Sequence, residues 1–178
     1  MKTRHIFTLA CSALLVINLA GCASSANKEA MVASDLQTLK KHDRSVSVHT
    51  GGGAETSAMD SSNISDVDLK AAIEESIVQS KLFKSVVQGK DGDYDLAVSI
   101  VRLEKPMFGL TFTVNMEATW VLVKQSDKSI ALKKSIQSTS TASFGDAAVG
   151  VTRLRLAVER AAKANIEQGL QAISALTL

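Results

Sequence analysis

The chain has 178 residues, with 20 Lys and Arg against 18 Asp and Glu for a formal net charge of +2, and only 2 cysteines. That length suits one domain with a sizeable core, and the near-neutral balance supplies no basic field for nucleic acid. Both cysteines, Cys11 and Cys22, fall at the very start, so the chain beyond them has no thiol for disulfides, thiolate catalysis or cysteine metal sites.

The first residues read as an export signal. Lys2, Arg4 and His5 precede an apolar run from Ile6 to Leu19, which is too short to span a bilayer and ends in small residues rather than stop-transfer charges. The closing run Leu19-Ala20-Gly21-Cys22 resembles the lipobox of bacterial lipoprotein precursors. The resemblance implies cleavage between Gly21 and Cys22 and a covalent, palmitate-type lipid on Cys22, with no other cofactor and no metal. One acyl chain holds a protein only marginally, at roughly 0.8 kcal/mol per buried methylene, whereas two or more anchor it almost irreversibly. Ala23-Ser24 follows, with no Asp at the second mature position, which resembles the pattern sent to the outer membrane of Gram-negative bacteria. The expected location is therefore the periplasmic face of the outer membrane, with the periplasmic face of the inner membrane as the alternative. Loss of Lys2 and Arg4 with the signal leaves the mature chain formally neutral.

The expected organisation is a signal at 1–21, a lipidated tether at 22–43 and one globular domain at 44–178. The tether is rich in Ala, Ser, Asn and Lys, with a short helix expected between Met31 and Leu39. About twenty extended residues at roughly 3.3–3.6 Å each reach at most about 70 Å. Arg44 to Thr50 alternates as a half-buried strand does, and Gly51-Gly52-Gly53 opens a loop that lacks the lysine of a P-loop. Ser65-Asp66-Val67-Asp68 is a variant capping box, with Ile64 and Leu69 placed as a hydrophobic staple. The helix it starts carries Leu69, Ala72, Ile73, Ser76, Ile77 and Ser80 on one face and ends near Lys81-Leu82-Phe83.

Three strands follow. Tyr94, Leu96, Val98 and Ile100 alternate, and so does the row Leu110, Phe112, Val114, Met116, Ala118, Trp120 and Leu122. After a turn at Gln125-Ser126-Asp127-Lys128 come Ile130, Leu132 and Ile136. Leu154, Val158, Ala162, Ile166, Gly169 or Leu170, Ile173 and Leu176 then recur at helical spacing. The order strand, helix, three strands, helix predicts an α+β two-layer sandwich, an antiparallel sheet of about four strands with two helices on one face.

That order, with the lipobox, resembles small envelope lipoproteins: ABC-type transport auxiliary lipoproteins, the lipopolysaccharide-assembly lipoprotein and lipoprotein activators of peptidoglycan synthases. The resemblance implies a non-enzymatic accessory lipoprotein of an envelope transport or assembly complex, its oligomeric state open. Two other readings stand beside it. One is a module holding lipid or glycan between sheet and helices, with Met107, Phe108 and Trp120 as contacts; the other is an activator of a cell-wall synthase.

Two places are candidate contacts. Lys105-Pro106-Met107-Phe108-Gly109 sets Pro106, Met107 and Phe108 at a hairpin tip, where polar residues are usual, so the tip either enters a lipid or partner groove or folds back onto the core. Arg153 and Arg155 lie near the start of the last helix, where positive charge opposes the dipole and would suit an anionic partner, unless the helix begins earlier, near Asp146. No catalytic set is legible: His42 and His49 have no metal-spaced partner, no G-x-S-x-G elbow occurs, and Glu117 has no carboxylate mate.

Overall fold

The computed structural model describes residues 24–34, 36, 40–57 and 61–178. The signal segment with Gly21 and Cys22 lies outside the described residues. A one-turn helix α1 (Lys28–Met31) leads to strand β1 (His42–Gly51), helix α2 (Asp66–Ser80), strands β2 (Phe83–Val86), β3 (Tyr94–Glu104), β4 (Phe112–Lys124) and β5 (Ile130–Ala142), and helix α3 (Gly150–Ser174). The class is α+β, as expected, but the sheet has five strands in the order β2-β1-β3-β4-β5.

It is also mixed rather than antiparallel. β1 runs parallel to both β2 and β3, while β3, β4 and β5 form the expected antiparallel meander. The parallel pairs follow from α2, which carries the chain back to the end where β1 began. Lys81, in the left-handed region at φ 54°, ends α2, and the chain turns directly into the four-residue β2. Too short to show a period, β2 buries only Phe83 fully, which is why its residues read as the end of a helix.

Local signals behave as the residues dictate. The Ser65 hydroxyl accepts from the Asp68 amide at 3.0 Å, capping α2, and the staple residues Ile64 and Leu69 are both buried. On β4 the even positions from Phe112 to Leu122 all face the helices, while Thr113 and Asn115 face out. Leu110, expected in that row, precedes the strand and is 73% exposed. Ile130 is displaced from its expected face too, because the register shifts between Leu122 and Val123; Leu132 and Ile136 keep theirs. At the end of β1, Gly52 has φ +76° and lies so close to the Ile100 carbonyl that a Cβ would sit 2.1 Å from its oxygen. The glycine run there lets two chains approach.

Both long helices cover one face of the sheet. Trp120 sits at the centre of that layer, fully buried, donating from Nε1 to Asn165 Oδ1 at 2.9 Å, and Asn165 Nδ2 donates in turn to the Ile136 carbonyl at 2.9 Å. Gly169 of α3 presses on the indole, where a Cβ would lie 2.5 Å from it.

The expected tether is the main departure. Its described residues form a strap that runs over the outside of α2 and α3. Ala26, Met31, Ala33 and Leu36 are buried in the same core; a short helix is present at Lys28–Met31, while residues 35 and 37–39 of the helix expected between Met31 and Leu39 lie outside the described residues. The Asn27 amide donates to Glu159 Oε1 at 2.8 Å, the Ala33 amide to Ser76 Oγ at 2.9 Å and the Lys40 amide to Ser174 Oγ at 2.8 Å. The strap thus descends from the first turns of α3 to its last, and the described part of the expected tether is docked on the domain.

At the lower end His42 is 5% exposed, with Nε2 3.1 Å from the Ile173 carbonyl and its ring 5.6 Å from Phe83. Burial holds its pKa below the usual value, against the opposing pull of that carbonyl. On acidification the unfolded chain takes up the proton first, near its ordinary pKa of about 6.5. The stability contributed by neutral His42 is therefore full above that pH and is lost as pH falls through it, at no more than about 1.4 kcal/mol per pH unit. Urea midpoints measured between pH 8 and pH 5 should fall along this limb, and His42→Gln should flatten it.

Candidate functional site: an apolar end beside the anchor

β3 ascends and β4 descends, so residues 105–111 cap the end of the sheet where β1 and β5 finish and where both long helices begin. Within this tip Met107 is 85% and Phe108 86% exposed. The tip does not fold back onto the core, and Pro106 is half-buried at its base. Lys105 ties the hairpin down, its Nζ donating to the Ser62 carbonyl at 3.0 Å and to Asn63 Oδ1.

The loop leading into α3 and the first turn of that helix add Phe144, Val149 and Val151 to the same end, all exposed. Sequence periodicity could not find them, because Phe144 and Val149 belong to no strand or helix and Val151 stands on the outer side of α3. Leu110 was hidden in the wrong element. The usable signal was composition: apolar residues in loops on both sides of Phe112 and Ala142, which pair across β4 and β5.

The structure separates the two arginines by role. α3 begins at Gly150, so Arg153 lies one turn inside it. Its guanidinium folds back, Nη1 donating at 2.8 Å to the carbonyls of both Ala147 and Ala148, and stacks between Phe112 and Phe144 at 5.5 and 5.6 Å. At 4% exposure it clamps the entering loop rather than standing free for an anion. Arg155 turns the other way, Nη1 donating to Ser24 Oγ at 3.2 Å and Nε lying 3.5 Å from the buried Glu159. It fastens the first described residue of the strap.

These contacts separate the variants. Arg153→Ala leaves two carbonyls and two aromatic faces without their partner and should cost about 1–3 kcal/mol in a urea melt, whereas Phe108→Ser, fully outside the core, should stay within about 0.5 kcal/mol.

Trp120 does not join Met107 and Phe108. It is buried midway along β4 under Gly169, which leaves no room for a ligand between sheet and helix at that level. On the open face of the sheet, Ser47 Oγ donates to Asp95 Oδ1 at 2.8 Å, and His49 Nε2 is 3.0 Å from the same oxygen. The carboxylate stands between serine and histidine, so the histidine does not activate the hydroxyl as a nucleophile. Among the described residues no group of three or more His, Cys, Asp and Glu could hold a metal ion, and no helix is long and apolar enough to cross a membrane.

No family model and no curated protein matches the chain. Solved structures do. A Xanthomonas campestris protein assigned to family-model DUF330 superposes with a TM-score of 0.61 at 12% identity, covering 80% of this chain and 90% of its own. A PelC dodecamer subunit from Paraburkholderia phytofirmans gives 0.50 at 14%, covering 77% and 90%, and a minor lipoprotein from Acinetobacter baumannii gives 0.48 at 9%, covering 74% and 94%. At such identities the likeness is one of fold, which this chain shares with the first two proteins.

Proposed function

We propose that the protein is a non-enzymatic accessory lipoprotein of a cell-envelope transport or assembly complex, held by a lipid on Cys22. The observation that carries this reading is the placement of Leu19-Ala20-Gly21-Cys22 immediately before a residue, Ser24, that is fastened to the folded domain. A lipid there serves no purpose but to seat the domain on a membrane. The absence of an acid at the second mature position favours the outer membrane, periplasmic face. Cys22 is two residues from Ser24, which gives a reach of about 7 Å, so a target in the opposite membrane, as some synthase activators would need, is the less favoured reading.

Cells fed a palmitate analogue should label the wild-type chain and not Cys22→Ser, whose precursor should stay uncut or leave the membrane fraction. Undiminished label on the variant would overturn the anchor. Crosslinking in intact cells followed by mass spectrometry then tests the accessory role, and recovery of no envelope protein would remove it.

A further inference from the structure

We propose that the end of the domain formed by the 105–111 hairpin tip and the loop into α3 lies in the membrane surface, so that protein side chains as well as the lipid hold the domain in one orientation. This rests on the lipidation of Cys22 proposed above and goes beyond it, since a lipid alone fixes where a domain is tied and not which way it faces.

Position is the first ground. The Arg155 bond to Ser24, the Ala26 amide bond to the Asn63 carbonyl at 3.1 Å and the Lys105 contacts with Ser62 and Asn63 place the start of the strap against the root of the hairpin. Ser24 stands two positions after Cys22, a span of at most about 7 Å. A lipid so placed brings this end of the domain, and no other, to the bilayer.

Composition is the second. Of the ten large hydrophobics that are exposed among the described residues, six belong to the tip, this loop and the first turn of α3: Met107, Phe108, Leu110, Phe144, Val149 and Val151. Scattered exposed hydrophobics need no explanation, but a cluster beside the attachment point does. Arg153 joins the two parts, stacked between Phe112 at the hairpin root and Phe144. From Lys105 to Thr113 there is no Asp or Glu, and Asp146, the one acid of the loop, is taken up by Ser143 and by Arg160 at 2.8 Å. The tip and the loop thus offer no unpaired acid of their own to resist entry to the headgroup and acyl boundary, where Phe, Met and Leu side chains are at home.

The test uses the full chain, purified from membranes and reconstituted in vesicles of phosphatidylethanolamine and phosphatidylglycerol, some carrying bromine on the acyl chains. Lipidated Cys22 is blocked, so a thiol introduced as Phe108→Cys takes an environment-sensitive fluorophore alone. Ser126→Cys, in the turn after β4, is the control, roughly 40 Å away along a strand rising about 3.3 Å per residue. The probe at 108 should shift to the blue and be quenched by brominated lipid, while the probe at 126 should do neither. Equal quenching at both ends, or at neither, overturns the orientation while leaving the lipid in place. A blue shift at 108 that brominated lipid does not quench, and that fades on dilution in detergent, would assign this end to a second copy of the chain and overturn it equally. Mass spectrometry of the same preparation keeps the two claims apart: a chain without the lipid mass refutes the anchor itself.

Discussion

Gly169→Ala is expected to destabilise the domain although alanine is the better helix former by about 1 kcal/mol. The reason is Trp120. A methyl group at 169 would stand 2.5 Å from the indole ring, and neither partner can give way. α3 is held along its length by the sheet and the strap, and the indole is pinned by its hydrogen bond to Asn165. Forcing extra volume into so closed a site typically costs about 1–3 kcal/mol. Trp120→Ala, the opposite change, should cost more, about 3–5 kcal/mol, a large part of the roughly 5–15 kcal/mol that an ordinary domain has. Trp120→Phe keeps most of the volume but leaves the Asn165 oxygen without its donor, for about 1–3 kcal/mol. Combining Trp120→Phe with Gly169→Ala should recover part of the sum, because the smaller ring makes room for the methyl group. Urea unfolding followed by circular dichroism measures all four. If Gly169→Ala stabilised the protein, the packing of α3 on β4 described above would be wrong.

Where the chain repeats a period over many residues, the sequence was sufficient to read it. β4 alternates for thirteen residues and α3 holds its apolar stripe for twenty-five, and so the covered face, the burial of Trp120 and the class of fold were all legible. Elements that depend on a partner for their shape were not. β2 has four residues and exists because β1 offers it an edge. The strap buries Ala26, Met31, Ala33 and Leu36 at irregular intervals, since a segment lying across two helices contacts each at points set by their ridges and not by its own period. The hairpin tip was found from its odd composition alone. Its companions Phe144, Val149 and Val151 needed the β4–β5 register to bring them alongside, and only the fold could show that Arg153 and Arg155, two residues apart, face a loop on one side and the strap on the other.

Met31→Asp should release the strap while leaving the sheet folded. Met31 is fully buried between α1's neighbours α2 and α3, and removing its side chain alone would cost about 2–5 kcal/mol if the site stayed closed. A carboxylate there is worse, because a charge cannot be left dry without a partner. The loss has an outlet, though. The strap carries no strand of the sheet, so the chain can open locally for less than the cost of global unfolding, and the fall in global stability is capped at what the docked strap contributes. Hydrogen exchange is the direct measurement. The amides of Ala26 and Ala33, now bonded to the Asn63 carbonyl and to Ser76 Oγ, should lose protection in Met31→Asp, while amides in the middle of β4 keep most of theirs. On the membrane the same variant has a second consequence. With the strap undocked, nineteen residues would lie between Cys22 and His42, extending the reach from about 7 Å to about 70 Å, and the apolar end would no longer be held against the bilayer. The fluorophore at position 108 should then lose its quenching by brominated lipid although the chain stays lipidated. Retained quenching would mean that the tip finds the membrane unaided, and that the strap adds stability without setting orientation.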